Sequence, residues 1–132
     1  MNPHIFVYGT LLSTAGHPMG ARLQGEARLV GAASIQGRLY ELGKYPGLVE
    51  VADAAERVQG EVHALNSPAT SLAWLDAYEG IVPGRQQNQY ERVERTAQLA
   101  SGGELTVWVY LYRRDVTRFQ PIAGGRWMPQ RT

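Results

Sequence analysis

Ile5-Phe6-Val7-Tyr8-Gly9-Thr10-Leu11 is the stretch that decides the fold class of this chain. Its first four residues are β-branched or aromatic, which predicts a buried strand, and Gly9 predicts that this strand ends in a turn. Successive backbone N–H groups that leave a strand end in a turn can converge on an anion, and glycine allows a ligand to approach the backbone. The turn is therefore either a carboxylate-binding site or an ordinary tight turn.

Five further segments have the pattern of strands, and they cover residues 27–42, 48–51, 58–65, 92–99 and 105–112. The first contains Gly31 and Gly37 and therefore predicts a long bent strand with bulges. The last two flank Gly102-Gly103 and predict a β-hairpin whose second strand is buried on both sides. Apolar and polar residues alternate in residues 58–65, so we expect His63 on the polar face of that strand, at the surface.

One helix is predicted over residues 68–79. Ser67 suits the N-cap, Pro68 suits the first helical position, and Gly80 is typical of a helix end. Six strands and one helix indicate a strand-dominated α+β class, closed or partly closed because so many short strands leave edges to be covered. We expect residues 1–132 to form a single domain with an irregular, polar tail over about residues 114–132, docked through Trp127.

The composition excludes several kinds of chemistry. The 132 residues include no cysteine, which excludes a thiol nucleophile, a Cys-ligated zinc site and any disulfide. His4, His17 and His63 are too dispersed along the chain to indicate a metal-binding motif. We therefore predict that the protein uses no metal and no cofactor.

Charge and hydropathy argue against large partners. The 13 basic and 12 acidic side chains leave a net charge of +1, which gives little attraction for nucleic acid. Only the alternating Trp108, Tyr110 and Tyr112, beside Arg113 and Arg114, favour a barrel that binds single-stranded nucleic acid. No segment approaches the ~20 apolar residues of a membrane span, and the N-terminus has no basic leader, so we expect a cytoplasmic protein with no membrane partner. The oligomeric state stays open.

Glu79 is the candidate catalytic residue. At 100° per residue it returns to within roughly 20° of the direction of Leu72, with Leu75 beside them, so its carboxylate lies on the apolar stripe of the predicted helix. It also occupies the last turn, where the negative end of the helix dipole disfavours another negative charge. Burial and the dipole both raise its pKa, which gives the basicity wanted of a general base. The alternative is a frayed helix end at which Glu79 simply reaches water.

Six segments of the chain occur in the order of a known family: Val7-Tyr8-Gly9-Thr10-Leu11, Tyr45-Pro46-Gly47, Gly60-Glu61-Val62, Leu75-Asp76-Ala77-Tyr78-Glu79-Gly80, Tyr90-Glu91-Arg92 and Val109-Tyr110. By these segments the chain resembles the gamma-glutamylcyclotransferase-like superfamily, especially the branch that includes the gamma-glutamylamine cyclotransferases. The most specific part of the match is YGTL on a strand followed by LDAYEG at a helix end.

The resemblance implies a small mixed β-barrel with a flanking helix, and an enzyme of the cyclotransferase or carbon–nitrogen lyase type. Its reaction would convert the gamma-glutamyl group of an amine or peptide to 5-oxoproline and release the free amine. In the family the glutamate matching Glu79 is the proton acceptor, and the backbone amides of the stretch matching Tyr8, Gly9, Thr10 and Leu11 line the substrate pocket. Tyr90 and Arg92 match more loosely, as substrate-pocket edge or structural residues.

Two segments depart from the family pattern. The family is often basic just after YGTL, whereas this chain has Leu12-Ser13-Thr14-Ala15-Gly16-His17, so the leaving-group contact stays open. The loop over residues 81–89 is distinctive, and it could cover the pocket as a lid. The alternative function is a noncatalytic module that binds a small carboxylated ligand on the same fold. Glu79 favours the enzyme, because a pure anion binder has no reason to place a carboxylate in its pocket.

Overall fold

A closed barrel of five strands organises the molecule, which is described here from a computed structural model covering residues 1–85 and 87–128. The elements in chain order are β1 (His4–Val7), α1 (Pro18–Glu26), β2 (Ala27–Gln36), β3 (Arg38–Glu41), β4 (Pro46–Val49), β5 (Arg57–Leu65), α2 (Pro68–Tyr78), β6 (Tyr90–Leu99), β7 (Glu104–Tyr112), β8 (Gln120–Pro121) and a 3₁₀ turn (Ala123–Gly125). The barrel order is β1-β5-β2-β6-β7, and the parallel pairing of Ile5 with Trp108 closes it. The predicted strand-dominated α+β barrel is confirmed. No helix within these two ranges is long and apolar enough to cross a membrane.

The hairpin of β6 and β7 is present as predicted. Its strands pair in continuous register from Tyr90 opposite Tyr112 to Gln98 opposite Glu104, and Gly102-Gly103 turn between them with positive φ values. The half of β7 nearest its C-terminus is buried on both faces because it lies between the barrel interior and the small second sheet. This burial places the last part of β7 in the centre of the fold.

The predicted long strand over residues 27–42 divides into two strands of different sheets. A bulge lies between Leu29 and Gly31, as expected, and the chain then leaves the barrel at Gly37. A Cβ atom at Gly37 would lie 2.8 Å from Leu48 Cδ2 and 3.1 Å from the Val49 carbonyl oxygen, so glycine suits the close packing of β4 at this point. The second sheet has the order β4-β3-β8. The tail therefore differs from the irregular segment we expected, since it adds β8 to this sheet. Trp127 is buried, as we expected of the residue that docks the tail. The part of the tail beyond residue 128 lies outside the described residues.

Helix α2 begins at Pro68 as predicted, but the expected hydroxyl cap is wrong. Ser67 occupies the N-cap position and its side chain makes no capping hydrogen bond. At the other end Gly80 adopts a φ of 75°, its N–H donates to Ala77, and the Ile81 N–H donates to Asp76. This is the Schellman arrangement that glycine permits. The helix therefore ends at a fixed point, directly before Glu79.

Two further features differ from the prediction: an additional helix, and the burial of His63. Helix α1, from Pro18 to Glu26, was not predicted, because Gly20 and Gly25 weaken its helical pattern. His63 was expected at the surface and is only 1% exposed. On its face of β5 the neighbouring Glu61 contacts Ser13, so the loop after β1 covers a face that an open sheet would leave to water.

The aromatic row on β7 is not a free surface. Tyr110 and Tyr112 are buried, and Trp108 is half-buried with the Arg92 guanidinium 4.4 Å from its ring centroid. The Trp108 indole N–H donates to the carbonyl oxygen of Asn2 at 2.9 Å. These rings are therefore occupied by packing within the chain, and this strand offers no open row of rings on which bases could stack.

Candidate functional site

A cavity of about 490 Å³ lies at the end of the barrel where β1 and α2 meet. The predicted residues Tyr8, Gly9, Thr10, Leu11, Glu79 and Tyr90 all line it. Arg92, the seventh predicted site residue, does not line the cavity. The structure thus brings together residues that are far apart in sequence, with the turn after β1 facing the end of α2.

Glu79 faces this cavity because of the way α2 ends. Leu75 and Leu72, one and two turns before it, are buried in the core, so the same side of the helix points inward. Glu79 is the C-cap residue, and its backbone N–H still donates to the Leu75 carbonyl at 3.0 Å. The expected inward direction is therefore present, without fraying of the helix.

The Glu79 carboxyl is in an environment that disfavours its charge. Burial, and next the negative charge of Asp76, raise the pKa of Glu79 from its ordinary value of 4.5 to about 7. Within residues 1–85 and 87–128, no side chain or backbone N–H donates a hydrogen bond to this carboxylate. A carboxyl with these properties can accept and return a proton near neutral pH.

The walls around Glu79 are built from tyrosines whose hydroxyl groups have partners elsewhere. The Tyr8 hydroxyl donates to the Tyr110 carbonyl at 2.6 Å and accepts from the Leu48 N–H at 3.3 Å, while the Tyr90 hydroxyl donates to the Pro46 carbonyl at 2.8 Å. Burial raises the pKa values of Tyr8, Tyr90 and Tyr110, the Asp76 carboxylate raises that of Tyr110 further, and the Glu79 charge adds to all three, so these walls stay neutral. Their hydroxyl hydrogens are therefore not available to stabilise the carboxylate.

The turn after β1 lines the same cavity and contains backbone N–H groups without a partner in the described part of the chain. The Leu12 N–H closes the turn on the Gly9 carbonyl at 2.9 Å. The N–H groups of Gly9, Thr10 and Leu11 donate no hydrogen bond to any atom of the described part of the chain. Successive free N–H groups in a turn can form an anion-binding concavity.

Close packing holds this turn on its other side. A Cβ atom at Gly20 of α1 would lie 3.3 to 3.4 Å from the carbonyl oxygens of Thr10, Leu11 and Leu12, so α1 packs directly against them. A Cβ atom at Gly9 would lie 2.8 Å from Pro46 Cδ. We expected glycine at position 9 to admit a ligand, and the structure adds that Gly9 is also required for packing against Pro46.

Arg92 lies behind the cavity and acts on Asp76. Its Nε and Nη2 donate to the two oxygens of Asp76 at 2.7 and 3.2 Å, and the Tyr110 hydroxyl donates to the same carboxylate at 2.6 Å. The negative charge of Asp76 is, after burial, the second cause that raises the pKa of Glu79. Arg92 therefore acts on the site indirectly, through its ion pair with Asp76.

Sequence reasoning did not assign several residues that line the cavity: His17, Lys44, Tyr45, Pro46, Tyr78, Gln89 and Tyr110. Tyr45, Tyr78 and Tyr110 belong to the matching motifs, which was the available signal. His17 and Lys44 had none, because long-range packing brings them to the cavity. Gln89 ends the loop over residues 81–89, whose role as a lid was left open, and Gln86 of that loop lies outside the described residues. In the two described ranges, no three His, Asp or Glu side chains gather closely enough to hold a metal ion.

Known proteins are similar to this chain in sequence and in fold. The protein of Escherichia coli strain K12 named "Gamma-glutamylcyclotransferase family protein YtfP" is 33% identical over 125 residues, which cover 94% of this chain and 95% of that protein. Its solution NMR structure has a TM-score of 0.63 at 31% identity, over 95% of this chain and 96% of that chain. The crystal structure of an AIG2-like protein from Mus musculus has a TM-score of 0.64 at 22% identity, over 98% and 97% of the two chains, and shares the fold.

The sequence profile described as "Gamma-glutamyl cyclotransferase, AIG2-like" matches residues 5–129, which include both the turn after β1 and Glu79. The match covers nearly the whole chain, and the relatives of similar length cover the same region. This chain belongs to the gamma-glutamyl cyclotransferase, AIG2-like family.

Proposed function

We propose that the protein converts the gamma-glutamyl group of an amine or peptide to 5-oxoproline and releases the free amine, with Glu79 as the general acid and base. The observation that carries this proposal is one cavity lined both by a carboxyl of pKa about 7 and by three residues whose backbone N–H groups have no partner in the described part of the chain. A substrate with an α-carboxylate beside an α-amine matches both features. The candidate substrates are gamma-glutamyl amines and gamma-glutamyl peptides, which differ in the amine that the reaction releases.

The substrate supplies its own nucleophile in this reaction. The α-nitrogen attacks the side-chain carbonyl carbon, a new carbon–nitrogen bond closes the five-membered ring, and the bond to the leaving nitrogen breaks. Intramolecular attack reaches effective molarities of ~10⁵ M or more when the groups are held in a near-attack geometry. The remaining requirement is proton transfer, because a free α-amino group has a pKa of roughly 8 and is mostly protonated at neutral pH.

Glu79 meets this requirement. Ionised, it accepts a proton from the α-nitrogen, and protonated, it delivers that proton to the leaving amine. Its pKa of about 7 lies close to that of the amine, so transfer in both directions is accessible. The neutral tyrosine walls keep the carboxyl desolvated.

The turn after β1 would orient the substrate. We propose that the N–H groups of Gly9, Thr10 and Leu11 bind the substrate α-carboxylate, with Tyr8 and Tyr90 as the walls on either side. Holding the carboxylate fixes the direction of the adjacent amine toward Glu79. Arg92 does not line the cavity, and it supports the site by its hydrogen bond to Asp76.

The test is to incubate the protein with gamma-glutamyl amines, gamma-glutamyl dipeptides and glutathione, and to assay 5-oxoproline. We expect product from at least one substrate and none from the variant Glu79→Gln, which keeps the shape of the side chain. Turnover by Glu79→Gln at the wild-type rate would overturn the role of Glu79. The alternative, a noncatalytic binding module, predicts that such compounds raise the Tm without product. The cytoplasmic location stays a prediction.

A further inference from the structure

The motif Gly60-Glu61-Val62 has no part in the proton transfer described above, yet Glu61 is connected to the substrate turn. Glu61 lies on β5 directly opposite Val7, the last residue of β1. From there its carboxylate extends past the end of β1 to Ser13, which follows the turn of residues 9–12. The connection therefore joins the barrel wall to the segment that carries the free N–H groups.

The contacts of Glu61 are short and largely shielded from water. Its Oε1 accepts from the Ser13 backbone N–H at 2.7 Å, and its Oε2 accepts from the Ser13 hydroxyl at 2.5 Å. His63 Nε2 lies 3.3 Å from the same Oε1. The Glu61 side chain is 15% exposed. Hydrogen bonds to an ionised acceptor are about twice as strong as neutral ones, so this clamp on Ser13 is a firm one.

The Glu61 carboxylate stays ionised in spite of its burial. Burial raises its pKa, but the hydrogen bonds from the Ser13 hydroxyl and N–H, and then His63, outweigh it, so the net pKa is lowered. Glu61 therefore differs from Glu79, which receives no such bonds and has a raised pKa. Of these two carboxylates near the same turn, one is suited to proton transfer and the other to fixing a position.

Gly60 fixes the distance over which Glu61 acts. A Cβ atom at Gly60 would lie 2.2 Å from the Val7 carbonyl oxygen and 2.6 Å from Phe6 Cζ, so only glycine allows β5 to lie this close to β1. With β1 held there, Glu61 can reach Ser13, one residue beyond the N–H of Leu12 that closes the turn on Gly9.

We propose that Glu61 is a positioning residue that holds the turn of residues 9–12 in the shape that binds the substrate α-carboxylate. The inference rests on the proposed function, because it assigns that turn to the substrate. Glu61 does not line the cavity, so it acts only through Ser13. N–H groups that bind the α-carboxylate contribute to substrate and transition state alike, so loss of the clamp raises KM more than it lowers kcat.

The experiment compares two substitutions at one position. Glu61→Ala removes both acceptors, and we expect KM to rise about tenfold or more, with kcat within about threefold. Glu61→Gln keeps an oxygen for the Ser13 N–H and offers an amide N–H to the Ser13 hydroxyl, so we expect KM within about threefold of wild type. Glu56→Ala is the matched control, because Glu56 pairs with Arg38 away from the cavity and should leave KM unchanged.

A second measurement does not depend on turnover. Amide hydrogen exchange of Ser13, followed by NMR, should be faster in Glu61→Ala than in wild type and near wild type in Glu61→Gln. If Glu61→Ala does not fold, Ser13→Ala removes the hydroxyl bond alone, and we expect a KM increase of about fivefold, beyond the threefold range set for Glu61→Gln.

The outcomes separate the two proposals. A wild-type KM in Glu61→Ala or in Ser13→Ala, or a Gln variant as impaired as the Ala variant, would overturn the positioning role. If the wild-type protein releases no 5-oxoproline at all, the proposed function fails. In that case equal Ser13 exchange in wild type and Glu61→Ala also overturns the clamp, whereas faster exchange supports it.

Discussion

Replacing Glu79 by glutamine should stabilise the protein, and the gain should depend on pH. Burial and Asp76 raise the pKa of Glu79 from 4.5 to about 7. This difference of about 2.5 pH units, at roughly 1.4 kcal/mol each, corresponds to about 3 kcal/mol. Because the raised pKa belongs to the folded state, folded Glu79 retains a proton between pH 4.5 and 7 that the unfolded chain has released. Stability is therefore lost as the pH rises through this window, and the loss is complete above pH 7.

The assay is thermal unfolding of wild type and Glu79→Gln, followed by circular dichroism between pH 4.5 and 8. Glutamine carries no charge, so the two Tm values should be similar near pH 4.5 and diverge to ~10 °C above pH 7, at about 3 °C per kcal/mol for a domain of this size. Glu104→Gln is the control, since Glu104 is exposed at the start of β7. A constant Tm difference across the range, or a less stable Gln variant at pH 8, would refute the reasoning.

Four further outcomes test individual parts of the site and fold. In wild type, kcat/KM for 5-oxoproline release should rise with pH through about 7, because only ionised Glu79 accepts the proton. Asp76→Asn should move this rise to lower pH in the same profile, because the negative charge that raises the pKa of Glu79 is gone. Gly9→Ala should lower the Tm and raise KM, because its Cβ would lie 2.8 Å from Pro46 and packing in excess costs about 1–3 kcal/mol. Ser67→Ala should change the free energy of unfolding by less than about 0.5 kcal/mol in denaturant titrations, because its hydroxyl caps nothing, whereas a functioning cap contributes about 1 kcal/mol.

Local sequence signals predicted the parts of the fold that local chemistry determines. Proline at position 68 and glycine at position 80 mark the ends of α2 because each satisfies a backbone requirement of its own position. The inward direction of Glu79 followed from its spacing to Leu72 in one helix. The hairpin turn was predicted from Gly102-Gly103 themselves, which lie between two strand patterns.

Features that depend on distant contacts could not be predicted. His63 lies on the polar face of β5, as the alternation predicts. The loop that contains Ser13 covers this face, so His63 is buried. Alternation predicts exposure only where one face of a sheet is open to water. The parallel pairing of Ile5 with Trp108 that closes the barrel joins residues far apart in sequence. Helix α1 has a proline at its first position, the signal used for α2, but its two glycines obscured it.

The candidate site also combines residues that local sequence predicted with residues that distant contacts bring in. Glu79 and the turn of residues 8–11 were predicted from motifs and local geometry, and they line one cavity. Lys44 and His17 also line it, although neither belongs to a motif. The charge of Asp76, which helps to raise the pKa of Glu79, acts within one turn of α2 and was within reach of sequence reasoning.

The release of 5-oxoproline tests the central claim most directly. Purified wild-type protein and the variant Glu79→Gln would each be incubated at pH 8 with gamma-glutamyl amines, gamma-glutamyl dipeptides and glutathione, and 5-oxoproline and the free amine would be quantified by mass spectrometry. The account predicts equal amounts of the two products from wild type with at least one substrate, and none from Glu79→Gln. Product formed equally by both proteins would contradict it.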